Sequence, residues 1–458
     1  MWGPRLNFAN WATRLRIKRP LSRKLSIAPD DLIGGAVPPS LTRFVADAAF
    51  DPLAGTLDFL IAIYAGDTAR ATRALARVDG DPAALSRLLA ENELRKLVIG
   101  CFRRAIDKGS LDGARAALLL DFARRFDPIF GMLSERTDEP RATPRLDFDY
   151  AGRIPDKLRV VVLASSATPR PHDLAVRLAS AFAGNGVGCV VMPSETDPAE
   201  IGANDLVLID EDTAFRKDPE RRLAHVDGLR KVARRLGRLV PDPWGWDFQG
   251  RLARSADRYD FFWGMAPRLR EAESIKSEKV CLIPFPTGFG HVFDEVVGSG
   301  APHADFGFCG AIEDYNVHRY FWLLAALAGT SGLRIGLTSQ QADGLETEPS
   351  LRLYLGRLLS TAACLSLTMR SSGDRIMVGR TFDVLRGGRL LIQEYTPDAR
   401  YYLNPGEDFV EVQEAGELRE VGERTRSGAY EPIRAQGAAT FARAYSDQAV
   451  VRHLATWV

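Results

Sequence analysis

Short runs of β-branched and other apolar residues recur between about residue 158 and residue 412, and segments of helical length separate most of them. Runs this short, without polar alternation, are typical of strands buried on both faces of a parallel sheet. The first series comprises Leu158–Leu163 (LRVVVL), Gly188–Met192 (GCVVM), Asp205–Ile209 (DLVLI), Arg238–Val240, Phe261–Trp263 and Val280–Ile283. Helices at about Pro171–Asn185 and Leu229–Leu236 fall between them, so residues 157–300 predict a Rossmann-like α/β unit.

The same alternation begins again near Ala304. The predicted strands are Asp305–Cys309, Leu333–Leu337, Ala363–Thr368, Leu390–Gln393 and Asp408–Val412, and the predicted helices are His318–Leu327, Ser350–Leu359 and Arg380–Arg386. Residues 301–432 therefore predict a second Rossmann-like domain that faces the first. Residues 433–458 follow as a helix, at about Ile433–Trp457, that we expect to pack across both halves.

The first third of the chain has a helical pattern. In residues 41–136, apolar residues such as Leu57, Leu60, Ile61 and Tyr64 recur at helical spacing, which predicts an all-α domain of four or five helices. Residues 137–156 contain three prolines among many charges and predict a linker. The predicted fold class is thus α/β, with two facing Rossmann-like domains preceded by an all-α N-terminal helical domain.

Residues 1–40 form a basic leader. Its cations all precede the first acid, Asp30, and they are Arg5, Arg14, Arg16, Lys18, Arg19, Arg23 and Lys24. Phe8, Trp11 and Leu15 recur near helical spacing among them. One interpretation is a basic amphipathic helix that gives the protein a peripheral contact with an anionic membrane surface. The other is a basic leader that frays or docks on the body of the protein through its aromatic residues.

Composition excludes several functional classes. Lys and Arg total 60 against 59 Asp and Glu, so the chain lacks the basic excess of a general nucleic-acid binder. The five cysteines are widely spaced without a paired CxxC, which argues against a zinc site or a disulfide framework. No apolar run approaches the roughly 18 to 20 residues that span a bilayer. We therefore expect a cytoplasmic protein, which under the first interpretation of the leader contacts the inner face of the membrane.

Common phosphate-binding and hydrolase motifs are missing. The sequence has no GxxxxGK[ST] motif and no GxSxG motif, which sets aside P-loop and α/β-hydrolase chemistry. Gly184, Gly186 and Gly188 follow a predicted helix and precede a strand, whereas a dinucleotide fingerprint follows a strand and opens a helix. Nicotinamide and flavin enzymes are disfavoured for this reason.

The most informative block is Val378–Glu394, VGRTFDVLRGGRLLIQE, followed by Ala399–Val412, ARYYLNPGEDFVEV. An arginine at a helix N-terminus suits an anion, and an acid one turn later can accept hydrogen bonds from a sugar diol. Arg380 and Asp383 have this spacing. The alternative is that they form an ordinary i,i+3 surface pair and that Gly387 and Gly388 only end the helix.

This block resembles the C-terminal half of GT-B glycosyltransferases of the group-1, CgeB-like type. The resemblance covers about residues 157–458 and is strongest in 378–412. Cys281–Phe293 (CLIPFPTGFGHVF) is similar to the end of the family's first half, and Phe306–Gly310 with Arg319 is similar to the opening of its second half. The resemblance implies that Gly310, Arg319, Arg380, Asp383, Gly387 and Gly388 bind the donor. Arg380 would lie near the diphosphate and Asp383 on the ribose. Gly387 and Gly388 would let the backbone approach the donor.

The sequence departs from the family pattern at three points. Many retaining members carry an acid eight positions before the second acid, and here that position is Arg375. Asp383 replaces the more usual Glu, and no Lys lies between Gly310 and His318. The departures imply either that the phosphate contacts are redistributed or that the activity is weakened.

The candidate acid/base residues are His172 and Asp173, which follow the first strand where such sheets bind ligands. A histidine with a near-neutral pKa suits removal of a proton from an acceptor hydroxyl. The alternative is a helix-start histidine beside a turn acid. His291 and His318 are further candidates for the cleft.

A rival motif follows the run that ends at Ile209. Asp210, Glu211 and Asp212 have the DxD arrangement with which GT-A glycosyltransferases hold a divalent metal, and paired carboxylates bind hard cations. Acids at strand ends are common, however, and this strand belongs to the first of two Rossmann-like units. We predict no metal site.

The sequence thus predicts an enzyme, a glycosyltransferase that moves a sugar from a nucleotide-diphosphate donor to a saccharide or other hydroxyl acceptor. The nucleotide sugar is a co-substrate, and we predict no further cofactor. The alternative is a non-catalytic GT-B-like protein that binds a nucleotide sugar or glycan and uses its helical region for protein interaction. A metal-dependent GT-A enzyme is the less favoured third hypothesis.

Overall fold

A computed structural model describes most of the chain. The described residues are 42, 52–78, 92–109, 111–125, 152–164, 174–210, 218–240, 254–298, 302, 304–310, 317–329, 335–339, 348–368 and 375–458. The predicted leader, residues 1–40, and most of the predicted linker, residues 137–156, lie outside them.

Two parallel β-sheets organise the described part of the chain. The strands of the first sheet are β1 (Arg159–Ala164), β2 (Gly188–Pro193), β3 (Asn204–Ile209), β4 (Ala233–Val240), β5 (Phe261–Gly264) and β6 (Val280–Leu282). Those of the second are β7 (Ala304–Gly310), β8 (Ile335–Ser339), β9 (Thr361–Ser366), β10 (Leu390–Glu394) and β11 (Val410–Val412). Their orders are β2-β1-β3-β4-β5-β6 and β11-β10-β9-β7-β8. Both are doubly wound, which confirms the predicted α/β class with two Rossmann-like halves.

Helices cover both sheets and precede the first one. In chain order they are α1 (Pro52–Ala65), α2 (Thr68–Val78), α3 (Asn92–Asp107), α4 (Gly113–Arg125), α5 (Leu174–Gly184), α6 (Pro198–Ile201), α7 (Pro219–Val232), α8 (Gly290–Gly298), α9 (Val317–Gly329), α10 (Glu348–Leu359), α11 (Arg380–Arg386), α12 (Ala399–Tyr402), α13 (Leu418–Arg426), α14 (Glu431–Thr440) and α15 (Asp447–Ala455). A π-helical turn, Phe441–Tyr445, connects α14 to α15. Helices α1 to α4 show that the N-terminal region is helical, as predicted.

One predicted helix is wrong. Residues 229–236 were expected to be helical, but α7 ends at Val232 and residues 233–236 begin strand β4. Arg234 and Arg235 are exposed at the start of this strand, whereas the strand is buried from Leu236 onward. Arginines at the exposed start of a strand look like those of a helix surface. The apolar run that indicates the strand therefore begins only at Leu236.

The N-terminal helices pack on the second sheet. A single hydrophobic cluster runs from α1–α4 through α9 to β7, β9 and β10. The ring of Phe102 in α3 meets that of Tyr320 in α9 edge-on, with centroids 4.7 Å apart. A Cβ at Gly113 would lie 3.1 Å from the carbonyl oxygen of Leu327. The helical region is therefore a layer of the C-terminal half, which it covers from outside.

The chain crosses back to the first half at its end. Phe441 and Tyr445 belong to the core of the second half, and Val450, Val451 and Leu454 belong to that of the first. Trp457 packs on Phe261 of β5, with ring centroids 5.6 Å apart. The stretch predicted as one helix is thus α14, the π-helical turn and α15, and Ser446 caps α15.

Candidate functional site

The carboxyl ends of the two sheets face each other, and contacts join the two halves there. Tyr402, which follows β10, donates its hydroxyl to the carbonyl of Met265 after β5, at 2.6 Å. Arg268 of the first half donates to the carbonyl of Arg375 in the second, at 3.2 Å. Strands β7 and β9 are neighbours in the second sheet, and the chain leaves them toward opposite sides. Doubly wound sheets bind ligands at such a switch point.

Arg380, the first residue of α11, lies at this switch point. Its guanidinium carbon is 4.7 Å from the ring centroid of Phe308 in β7. A Cβ at Gly310 would collide with Nη2 of Arg380 and lie 2.9 Å from Cζ, so the glycine makes room for the guanidinium. Nε and Nη1 of Arg380 are buried without a hydrogen-bond partner among the described residues. The structure therefore brings Gly310 and Arg380 together. Nε and Nη1 of the Arg380 guanidinium can still donate a hydrogen bond there.

At the same edge of the second sheet, a buried histidine and a buried glutamate meet. Nε2 of His318 in α9 lies 3.0 Å from Oε2 of Glu394 at the end of β10, and neither residue is exposed. The backbone N–H of Thr368, after β9, also donates to Oε2, at 2.8 Å. Burial lowers the pKa of His318 to about 3, and the charges of Arg319 and Arg375 act in the same direction. A neutral imidazole can donate one ring proton, and Glu394 is the acceptor within hydrogen-bond distance of Nε2.

The arginines give this edge a positive potential. Arg319 and Arg375 are half-buried, and both are near enough to disfavour a charge on His318. The guanidinium carbon of Arg375 lies 5.4 Å from the ring centroid of Tyr395. Arg319, Arg375 and Arg380 thus add three cations to the carboxyl edge of the second sheet. Such an arrangement attracts oxyanions, and guanidinium donors match the geometry of phosphate oxygens.

Asp383 lies one turn after Arg380, but its carboxylate has protein partners. Nη1 and Nη2 of Arg177, from α5 of the first half, donate to Oδ1 at 2.6 Å and to Oδ2 at 3.2 Å. The hydroxyl of Tyr354 in α10 donates to Oδ2 at 3.2 Å. Burial by itself would lower the pKa of Arg177, but Asp383 reverses this and raises it above its ordinary value. The spacing places Asp383 near Arg380, and the fold points its carboxylate at the facing domain.

Gly387 and Gly388 lie at the other end of α11. A Cβ at Gly387 would be 2.8 Å from Cδ1 of Leu359, and Gly388 has φ +61°, a left-handed conformation that ends the helix. Arg434 donates to the carbonyl of Gly388 at 2.6 Å. Because β10 begins two residues later, both glycines belong to the amino edge of the sheet. The structure does not bring them to Arg380, and it gives them the helix-ending role that the sequence left as the alternative.

The remaining candidates are the acid/base pair and the DxD motif. His172 and Asp173, the acid/base candidates, lie outside the described residues, as do Glu211 and Asp212 of the DxD motif. Asp210 is buried, and its N–H donates to the carbonyl of Leu163 at 2.8 Å. Within the part of the chain that the structure describes, no group of three or more His, Cys, Asp or Glu residues could hold a metal ion.

The sequence interpretation missed Arg177 and Glu394. Arg177 occupies the buried face of α5 together with Leu174, Leu178 and Ala181, so an arginine inside an apolar stripe was the available signal. Glu394 ends a buried strand inside the block that was singled out. An acid at the carboxyl end of a parallel strand is the corresponding signal.

Other surfaces are separate from this site. A groove of about 540 Å³ lies between Arg153, Gly184 and Arg452, at the amino edge of the first sheet. None of the helices in the described ranges has the length and apolar character needed to cross a membrane.

No protein-family model and no curated protein matches the sequence. Among solved structures, the chain is similar to Anabaena HepE in complex with UDP and glucose, at 11% identity and TM-score 0.46, covering 65% of this chain and 98% of that one. It is similar to a glycosyltransferase from Rickettsia africae, at 10% identity and TM-score 0.42, covering 66% and 98%. An α-glucosyltransferase in complex with UDP and DNA is similar at 9% identity and TM-score 0.45, covering 66% and 99%.

Proposed function

We propose that the protein is a glycosyltransferase of the CgeB-like GT-B type, which transfers a sugar from a nucleotide-diphosphate donor to a saccharide or other hydroxyl acceptor. The observation that carries the proposal is Arg380. Two of its guanidinium nitrogens are buried without an acceptor among the described residues, at the switch point of the second Rossmann-like sheet. Because buried donors are nearly always satisfied, this cation fits an oxyanion.

In the proposed reaction the bond between the sugar's anomeric carbon and the donor phosphate breaks, and the electron pair leaves with the nucleotide diphosphate. Arg380 binds the departing diphosphate, and Gly310 gives the Arg380 guanidinium room. Arg319 is our second candidate for a contact with the donor. Fixed cations at the place where negative charge develops lower the barrier because they need no reorganisation. The crevice between the halves excludes water and so limits hydrolysis of the donor.

The acceptor hydroxyl attacks the same carbon and loses its proton. His172 and Asp173 follow β1 in the chain, and they stay our candidates for the group that takes this proton. The acceptor would then bind to the first half and the donor to the second.

Calorimetric titration of the purified protein with UDP, GDP, ADP, CMP and dTDP tests the donor site. We expect one of them to bind, and Arg380→Ala to weaken that binding about ten- to a hundredfold, as for loss of a charged hydrogen bond. Arg419→Ala is the matched control, because the side chain of Arg419 is 71% exposed on α13. If Arg380→Ala and Arg419→Ala bind the nucleotide equally well, Arg380 is not part of the donor site.

A second candidate function is a non-catalytic nucleotide-sugar or glycan binder. Arg375 favours it, because an arginine stands where many retaining relatives carry an acid, and it stacks on Tyr395. Incubation with the matching nucleotide sugar and a glycan extract separates the two functions. An enzyme releases nucleotide diphosphate in proportion to time, whereas a binder saturates at one equivalent without release.

A further inference from the structure

Arg177 and Asp383 form an ion pair across the two α/β halves. Arg177 belongs to α5 of the first half and Asp383 to α11 of the second, and their side chains are 3% and 2% exposed. Two guanidinium nitrogens contact two carboxylate oxygens, at 2.6 Å and 3.2 Å. A bidentate pair of this kind fixes direction as well as distance.

Neighbouring residues add further contacts to the pair, although Nε of Arg177 has no hydrogen-bond partner among the described residues. Nη1 of Arg177 also donates to the carbonyl of Thr287, at 3.2 Å, in the segment that connects the two halves. The Arg177 guanidinium carbon lies 5.5 Å from the ring centroid of Phe285 in the same segment. Tyr354 contributes the third donor to Asp383, from α10. The Asp383 carboxylate thus accepts hydrogen bonds from three protein donors while the halves are in contact.

A second charged contact lies at the segment that connects the two halves. Asp447, the first residue of α15, accepts from the backbone N–H groups of Thr287 and Gly288 at 3.1 Å and 3.0 Å. Arg386 at the end of α11 donates to Asp447 at 2.7 Å. Helix α11 is therefore held at Asp383 and at Arg386, and both contacts lead to the connecting segment.

We infer that Arg177, Asp383 and Tyr354 form a clasp that keeps the two halves closed, and that Asp383 serves this clasp instead of holding the donor ribose. A buried ion pair suits a contact that opens and closes. Its attraction roughly offsets the desolvation of the two charges, and separation of the halves returns both charges to water. Because Arg380 lies one turn before Asp383, the clasp also sets the position of the Arg380 guanidinium.

The first test is a double-variant cycle in the full chain with Arg177→Gln, Asp383→Asn and the combination. We expect each single variant to lower Tm by several degrees and to increase the radius of gyration in X-ray scattering. We expect the combination to lose less Tm than the sum, because each single change leaves a buried charge unpaired. Arg352→Gln is the matched control, because the Arg352–Glu295 pair is exposed. Additive losses with an unchanged radius would overturn the clasp.

A milder substitution tests the clasp even if the first variants do not fold. Arg177→Lys keeps the charge, but one ammonium cannot reproduce the paired contacts to both carboxylate oxygens. We expect this variant to fold and to be cleaved faster by protease between the halves. A cleavage rate equal to that of the unaltered protein would count against the clasp.

The last arm rests on the proposed function and separates a clasp from a ribose contact. Affinities for the nucleotide that binds and for its 2′,3′-dideoxy form are compared in the unaltered protein and in Asp383→Asn. We expect their ratio to change less than twofold, whereas a tenfold fall would assign Asp383 to the ribose and overturn the inference. If no nucleotide binds the unaltered protein, the proposed function fails, and the scattering and the cycle still decide the clasp.

Discussion

The absence of a side chain at Gly310 is as important for the candidate site as the presence of the Arg380 guanidinium. The end of β7 and the start of α11 come so close that the cation covers the glycine directly. Phe308, two residues earlier on the same strand, supplies the aromatic face on which the guanidinium rests. The strand thus shapes the site through one residue that is missing a side chain and one that has a large one.

We therefore expect Gly310→Ala to displace the Arg380 side chain and to weaken nucleotide binding about ten- to a hundredfold, as in loss of its charged hydrogen bonds. Calorimetric titration measures the change. Gly356→Ala is the control, because a Cβ there meets no atom within 4 Å and its helix tolerates alanine. Unchanged affinity in Gly310→Ala would show that a ligand does not depend on this position of Arg380.

At this scale the sequence predicts that Arg380 and Asp383 lie one turn apart, but it could not identify the partners of Asp383. Helical spacing puts Arg380 and Asp383 one turn apart, and the structure keeps them so. Arg177 is 206 residues away from Asp383 in the chain, and only the docking of two domains brings the pair together. Gly387 and Gly388 show the converse. They are close to Arg380 in the sequence, but helix α11 separates them from it, and they lie at the opposite edge of the sheet.

At the scale of elements, α9 shows why the N-terminal helices are present. Tyr320, Phe321, Trp322 and Leu323 are all buried, although four consecutive positions go around the whole helix. A helix that is apolar all round needs partners on every side, and the sheet can cover only one face. The other face is covered by α3 and α4. The N-terminal layer is thus required by the composition of α9.

We expect Phe102→Ala to destabilise the C-terminal half by about 3 to 5 kcal/mol, as for loss of a buried aromatic side chain. Hydrogen exchange followed by mass spectrometry should show lost protection in α9 and β7. Protection of β1 and β3 is the internal control, because these strands belong to a different hydrophobic cluster. Loss confined to α3 would mean that the helical layer folds independently of the second half.

Strand positions were largely predictable, because a buried parallel strand is nearly uniform in its apolar character. The boundary between α7 and β4 was not, since arginines at an exposed strand end look the same as those of a helix surface. The docking of α1–α4 on the second half was also beyond the sequence. Amphipathic patterns indicate that a face is covered, and they do not name the element that covers it.

At the scale of the whole molecule, the contact between the halves contains an acid in an unusual state. Asp398, the N-cap residue of α12, is 3% exposed, and its Oδ2 is buried without a hydrogen-bond partner among the described residues. Burial raises its pKa to about 6, and Glu271 of the first half adds to this. Arg268 and the backbone N–H of Met377 oppose the shift only in part. The closed arrangement therefore favours the protonated carboxyl.

This state predicts how the stability of the closed protein depends on pH. The folded pKa lies above the ordinary value of 3.8, so the folded protein binds the proton more tightly than the unfolded chain does. The contribution of Asp398 is full below about pH 4 and is lost as the pH rises through about 6. The difference of about 2 pKa units corresponds to about 3 kcal/mol. Asp398→Asn keeps an oxygen that can accept from Met377 and removes the titration.

We expect the stability of Asp398→Asn relative to the unaltered protein to improve by up to about 3 kcal/mol between pH 4 and pH 7. Thermal unfolding followed across this range measures it, with Glu407→Gln as the control at an exposed acid. The direction decides between two pictures of the contact. A relative loss of stability toward pH 7 would mean that Asp398 is ionised and paired with Arg268 when the halves are closed. A relative gain means that closure holds a proton there, so that opening of the crevice between about pH 4 and pH 6 releases it.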